Sequence, residues 1–234
     1  MLDFLRSKKQ MTSDNNLNKS ILKADYTVID TELTGLNIKK DSIISIGAIK
    51  MNGTKIHLDK TFYKLANPES KLKPESVVVH GITPSDVAKE RNIDEIIKEF
   101  IEFCGKDILV GYCVSIDISF INQELKRLAA NPIKNYIIDI LYLYEHLKKN
   151  LTSNRCFSIS THSTSLYEIA KCFEIPLYNS HNALFDAYIT AQLFQRFLTA
   201  INKCGVQEIK HLLNISSPEK GGDLFKIQGE ITNF

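Results

Sequence analysis

Cysteine is scarce and scattered in this chain. Five residues, Cys104, Cys113, Cys156, Cys172 and Cys204, occur among 234, with no C-x-x-C pair and an odd total. That argues against a disulfide framework and against a structural zinc site, and it fits a reducing compartment. Long apolar runs are missing as well. Within the first 25 residues no apolar run exceeds two, so the hydrophobic segment of a signal peptide is absent. No stretch could span a bilayer, and a cytoplasmic location with no membrane partner is expected. The chain also lacks a standing excess of one charge. The net +2 divides into +3 for residues 1–24, 0 for residues 201–234 and −1 for the 176 residues between. The middle of the chain therefore has no basic surplus to draw in a polyanion, and any affinity for nucleic acid must be local, cation-assisted or tethered. None of the histidines has H-E-x-x-H spacing, which removes that zinc motif.

What is present is a core-forming pattern. With 44% hydrophobic and 24% charged residues, the chain can bury one sizeable core. The expected organisation is a flexible basic arm over 1–24, one domain over 25–200, and a tail over 201–234. Tyr26 to Asp30 reads as a strand. The β-branched run from Ile43 to Met51 reads as a second, and Asn52-Gly53 is a hairpin turn leading to a third over Lys55 to Lys64. Thr83-Pro84-Ser85-Asp86 opens a helix by capping rules. The spacing of Ile93, Ile96, Ile97, Phe100, Ile101 and Cys104 predicts an amphipathic helix. A strand at Ile108 to Tyr112, a helix over Ile116 to Ala129, a strand at Tyr136 to Ile140 and a helix over Leu141 to Leu147 follow. A polar loop over Asn150 to Ser163 precedes helices near Ser165 to Phe173 and Ala183 to Ala200. Three antiparallel strands followed by alternating helix and strand predict an α/β domain with a five-stranded mixed sheet flanked by helices.

The acids are the informative feature. Side chains at i and i+2 of a strand share a face, so Asp30 and Glu32 converge if the strand persists that far. Asp117 follows Gly111 to Ser115 at a helix start, and Asp186 lies in the first turn of the last long helix. Taken singly, the latter two need be no more than complements to helix dipoles, worth about 0.3–1 kcal/mol each. Together they invite cations: two carboxylates about 4 Å apart repel by roughly 4 kcal/mol at an effective dielectric near 20. Hard divalent ions with oxygen ligands relieve that repulsion.

Four segments, DTELTGL (Asp30 to Leu36), HGIT (His80 to Thr83), GYCVSIDISFI (Gly111 to Ile121) and HNALFDA (His181 to Ala187), resemble in this order the motifs of the DEDDh 3′–5′ exonucleases. The similarity is to the proofreading (epsilon) subunit type of bacterial DNA polymerase III and covers about residues 25–200. It implies a ribonuclease H-like fold and two divalent cations, Mg²⁺ or Mn²⁺, about 3.5–4 Å apart. By the resemblance, Asp30 would bridge both ions and Glu32 and Asp186 would bind the ion on the side of the attacking water. Asp117 would hold the second ion, directly or through water, and His181 would be the general base. Thr34, Gly35, His80, Tyr112 and Ile116 would meet the terminal nucleotide. The implied activity releases nucleoside 5′-monophosphates from the 3′ end of single-stranded or frayed DNA, in proofreading or repair. RNA is the alternative substrate, and a weakly catalytic tethering module on a polymerase or sliding clamp is the alternative role.

The chain departs from the family pattern in places. Tyr112 and Cys113 stand where His and Asn are usual, Ile116 stands for Phe, and Leu33 for Thr. These changes bear on substrate preference and turnover. A short Asp-Leu-Phe segment at Asp223 to Phe225 loosely resembles clamp-binding peptides.

Overall fold

The computed structural model describes residues 17–68, 70–151, 164–177 and 181–216. Its centre is a five-stranded sheet of spatial order β3-β2-β1-β4-β5. The strands are β1 (Asp25–Leu33), β2 (Ile43–Asn52), β3 (Lys55–Leu65), β4 (Ile108–Gly111) and β5 (Ile137–Asp139). β1 to β3 pair antiparallel, while β4 joins β1, and β5 joins β4, in parallel. This is the mixed sheet expected from the order of the apolar runs. The turn at Asn52-Gly53 forms as its residue types require, with Gly53 at φ 53° and Asn52 opposite Lys55.

Period-two alternation places β1 between two cores. Tyr26 and Val28 face a cluster with Tyr144, Phe194 and Phe197. It is built on α5 (Ile140–Asn150), α6 (Leu166–Cys172), α7 (Ala183–Lys203) and α8 (Ile209–Ser216). Ile29 faces the opposite cluster with Ile97, Phe100 and Ile121, on α3 (Ile93–Cys104) and α4 (Ser115–Arg127). The stripe read from Ile93 to Cys104 is buried as expected; Phe100 and Ile97 are fully covered.

Several expectations need correction. Thr83 and Asp86 form a reciprocal capping box, but the helix they start, α2 (Pro84–Val87), is only four residues long. A preceding helix, α1 (Pro74–His80), gave no periodic signal because none of its residues is buried. The boundaries at 24 and 200 do not separate loose ends from a body at those points. Ile21 is fully buried, and the Ile21 N–H donates to the Gln207 carbonyl at 2.9 Å. Ser20 bridges to Glu208, α7 runs on to Lys203, and Ile209 and Leu212 of α8 enter the core. Basic and polar composition around these segments hid a few apolar residues sufficient to dock them. Residues 1–16, residues 152–163 of the polar loop, and residues 217–234 with the Asp-Leu-Phe segment lie outside the described residues.

One close approach sets where the last long helix begins. Gly47 of β2 lies opposite Asp30 of β1, and a Cβ on Gly47 would stand 2.2 Å from the Ala183 carbonyl carbon and from the Leu184 nitrogen. The first turn of α7 thus rests directly on the backbone beside Asp30. Gly47→Ala is expected to push α7 off the sheet, costing about 1–3 kcal/mol by overpacking. Urea denaturation of the purified variant reads that loss, and an unchanged midpoint would show that α7 does not depend on this contact.

Candidate metal centre

β1 continues through Leu33, so Asp30 and Glu32 project on one face of the strand and Thr31 on the other. Asp186 joins the pair from the first turn of α7. Asn182 caps that helix by accepting from the Phe185 N–H at 3.2 Å, and its own amide donates to the Tyr63 hydroxyl of β3 at 2.9 Å. One carboxylate oxygen from each of Asp30, Glu32 and Asp186 lies within 4.8 Å of the others. Asp117 is not one of that trio. It begins α4 on the other side of the sheet and accepts a 2.6 Å hydrogen bond from the Thr31 hydroxyl. After burial, its charge is nevertheless the largest influence on Asp30.

The electrostatics are those of crowded, desolvated acids. Burial, then repulsion from Asp117, Glu32 and Asp186, raises the Asp30 pKa well above the usual 3.8. Burial and repulsion from Asp186 and Asp117 push Glu32 up to about 8. Burial pushes Asp117 up to about 7 against the opposing hydrogen bond from Thr31. It pushes Asp186 up to about 6 against the Tyr167 hydroxyl and the His181 N–H. Among the described residues, the buried Asp186 Oδ1 has no hydrogen-bond partner. An orphaned carboxylate oxygen beside two further carboxylates fits a hard divalent cation, which supplies the missing partner and offsets the repulsion. Asp30, Glu32 and Asp186 are the residues placed to hold it.

His181 sits beside this cluster in the left-handed region, at φ 64°. Its N–H donates to the Tyr167 hydroxyl oxygen at 2.9 Å and to Asp186 Oδ2 at 3.1 Å. The Tyr167 hydroxyl donates to Asp186 Oδ2 at 2.6 Å and lies 3.2 Å from His181 Nδ1. Burial lowers the His181 pKa, which keeps the imidazole neutral near pH 7.

A groove of about 540 Å³ runs from Glu32 past Thr34 and Gly35 to His80. Three of the five residues expected to meet a nucleotide are therefore on one surface next to the acids. Beneath it, buried Asp41 accepts from the Asn37 N–H at 2.9 Å and from the Lys73 ammonium at 2.7 Å. A Cβ on Gly35 would stand 2.5 Å from Asp41 Oδ2, so glycine is required there for packing. His80 Nδ1 accepts the Ile82 N–H at 3.0 Å, while Nε2 is buried without a partner among the described residues. Burial, and then the charge of His181, lowers the His80 pKa. Tyr112 and Ile116 are not among the residues lining this groove. The Tyr112 hydroxyl donates to the Thr164 carbonyl at 2.5 Å, and Ile116 packs against both cores.

Three contributors escaped the sequence reading. Thr31 and Tyr167 hold acids through hydroxyls, and no spacing rule foretells such partners. Asp139 ends β5 and is 1% exposed; it accepts from the Cys113, Val114 and Leu141 N–H groups at 3.1, 3.1 and 3.0 Å. It thereby fixes the turn that launches α4 and Asp117. An acid directly before the apolar run at Ile140 was its available signal, as a helix cap.

The RNase_T family model, described as Exonuclease, matches residues 27–194. The chain is 30% identical to the PolC-type DNA polymerase III of Caldanaerobacter subterraneus subsp. tengcongensis over 198 residues, 85% of this chain and 13% of the relative. It is 31% identical to that of Bacillus subtilis over 194 residues, 82% of this chain and 13% of the relative. The chain thus spans about an eighth of the length of these relatives. Among solved structures, E. coli Exonuclease I with a dT13 oligonucleotide superposes with TM-score 0.69 at 18% identity, over 78% of this chain and 43% of that one. Exonuclease X with 5′-overhanging duplex DNA gives 0.58 at 21%, over 80% and 99%. These likenesses establish the ribonuclease H-like fold. Among the described residues, no helix is long and apolar enough to cross a membrane.

The crowded acids make stability depend on pH and metal together. Glu32 and Asp117 hold protons near pH 7 when folded, whereas their ordinary values are 4.5 and 3.8. The folded state then binds more protons than the unfolded one, so stability is full below about pH 4 and is lost as pH rises through about 7 and 8. His80 and His181, with lowered values, oppose this only below their usual 6.5. In chelator, the melting temperature should therefore fall between about pH 6.5 and 8.5. Millimolar Mn²⁺ should remove the fall, and Asp30→Asn should lessen it without metal. A flat chelator profile, or no Mn²⁺ effect at the upper pH, would contradict the site.

Proposed function

Since this chain belongs to the RNase_T exonuclease family, we propose that it is a metal-dependent 3′–5′ exonuclease acting on single-stranded or frayed DNA ends. The observation that carries this reading is the meeting of Asp30, Glu32 and Asp186 beside His181 at the head of a groove. When bound, a pair of divalent ions supplies Lewis-acid activation of the attacking water and stabilises the leaving 3′-oxygen. Asp30, Glu32 and Asp186 would hold the cations, with Asp117 contributing from the α4 side. His181, kept neutral by burial, takes the proton of the attacking water. Gly35 offers backbone to the terminal nucleotide, while the buried Thr34 hydroxyl, which accepts the Ser42 N–H at 2.9 Å and bonds the Ser70 hydroxyl at 2.8 Å, holds that backbone in place. Leu36 and Val79, 53% and 45% exposed, present apolar surface on which its base can lie.

The polymerase relatives support DNA over RNA and a proofreading or repair role beside a polymerase. Tyr112 belongs to the positioning of backbone in this reading, because its hydroxyl is committed to Thr164. The test is digestion of matched 5′-labelled and 3′-labelled DNA and RNA oligonucleotides in Mg²⁺ or Mn²⁺, with and without chelator. The 3′ label should be released first as mononucleotide and the 5′-labelled DNA shortened stepwise, with chelator abolishing both. Asp30→Ala should cut the rate by about 1,000-fold, the several kcal/mol of a Lewis acid at about 1.4 kcal/mol per factor of ten. Undiminished digestion by that variant would remove the site assignment, and preferred loss of RNA would reassign the substrate.

A further inference from the structure

We infer that Tyr167 is a positioning residue that fixes His181 as its Nδ1–H tautomer and turns Asp186 so that one oxygen stays free for a cation. This rests on the exonuclease reading for its catalytic consequence, though not for its geometry. A tyrosine hydroxyl has one proton to give and lone pairs to receive with. Its proton goes to Asp186 Oδ2, at the 2.6 Å expected of a charge-assisted O–H···O⁻ bond. With that proton spent, the Tyr167 oxygen can only accept. The His181 N–H takes one lone pair at 2.9 Å. His181 Nδ1, 3.2 Å from the same oxygen, makes a bond there only if it carries hydrogen. The reverse assignment, with the tyrosine proton on Nδ1, would leave two oxygens facing each other at 2.6 Å without hydrogen between them whenever Asp186 is ionised. Nε2 is therefore the nitrogen left with a lone pair, and it is the atom that receives the proton in the proposed reaction.

The same hydroxyl divides the labour of Asp186. Oδ2 accepts both Tyr167 and the His181 N–H, whereas Oδ1 accepts nothing from the described residues. It also offsets the left-handed backbone of His181, a conformation that costs on the order of 1–3 kcal/mol and persists only where neighbours hold it. Tyr167 can do this because α6 is fixed. Ile169 and Ala170 are fully buried, and the Tyr112 hydroxyl grips the Thr164 carbonyl just ahead of the helix. The tyrosine ring meets the imidazole edge-on, with centroids 4.9 Å apart at 78°.

Tyr167→Phe removes one oxygen and keeps that ring contact. In metal-free wild type at a pH where His181 is neutral, ¹⁵N NMR of its ring should show a protonated Nδ1 and a bare Nε2; in the variant, Nε2–H should gain population. Mn²⁺ affinity by calorimetry should weaken about 10-fold or more, and kcat on a DNA oligonucleotide should fall about 10–100-fold with KM nearly unchanged. A wild-type ring protonated on Nε2 overturns the inference whether or not the variant folds. So does a variant whose tautomer and Mn²⁺ affinity match wild type. If wild type fails to digest DNA, the proposed function falls, while the ring and Mn²⁺ measurements still decide the role of Tyr167.

Discussion

Repulsion among carboxylates at the tip of β1 is the constraint around which the rest of the molecule is arranged. Asp30, Glu32 and Asp186 lie close enough for one oxygen of each to share a 4.8 Å neighbourhood, and every charge that acts on Asp30 is another acid. A fold that tolerates this must hold the acids by forces that do not depend on their own attraction. Here the hydrophobic cores do so. β1 is buried on both faces, so its tip cannot retreat from α7 or from α4 without exposing Val28 or Ile29. Protonation relieves part of the repulsion, since burial pushes Glu32 and Asp117 up to about 8 and about 7, and divalent cations relieve it above those values.

Position is transmitted by backbone contacts more than by side-chain length. Gly47 lets α7 touch β2 opposite Asp30. Gly111 does the same at the end of β4, where a Cβ would stand 2.7 Å from Val114 Cγ2 and 3.2 Å from the Ile29 carbonyl oxygen. Asp139 collects three N–H groups at the adjacent strand end and so locks the turn before α4. Its own carboxyl is pushed up to about 7 by burial against those bonds, a cost borne to fix a turn rather than to do chemistry. Short acids carried on such fixed ends have few rotamers to lose, and that is how a site gains preorganisation.

The parts legible in the sequence are those governed by local periodicity. Asp30 and Glu32 could be placed on one face because a strand alternates, and Asp186 could be placed in a first turn because α7 has a clear apolar stripe. The meander of β1 to β3 was readable from β-branched runs and Asn52-Gly53. What was hidden is tertiary. Asp117 meets Thr31 across the strand, on the face Asp30 does not use, and that separate approach could not be seen by counting acids. Tyr167 lies in a helix that the sequence predicts near Ser165 to Phe173, but nothing in that stretch signals that its hydroxyl meets Asp186. Ile21 and α8 carry their few anchoring residues amid basic and polar neighbours, which is why composition placed domain edges inside the packed body. α1 has no buried face to create a period.

Charge at the site also orders events in the proposed reaction. Residues 25–200 carry a net −1, and the lysine that lines the groove, Lys73, is already held 2.7 Å from buried Asp41. A phosphodiester approaching the acid cluster alone would add negative charge to an already repelling set, so binding at this spot is unfavourable until cations arrive. In the proposed reaction two divalent ions would bring four positive charges, more than the whole domain's deficit, so metal is expected to bind before nucleic acid while the groove would shape and seat the terminal nucleotide. Besides Glu32, Lys73 and Glu75, the groove is lined by a packed glycine, a buried threonine, exposed apolar side chains and a histidine, which give it shape more than net charge.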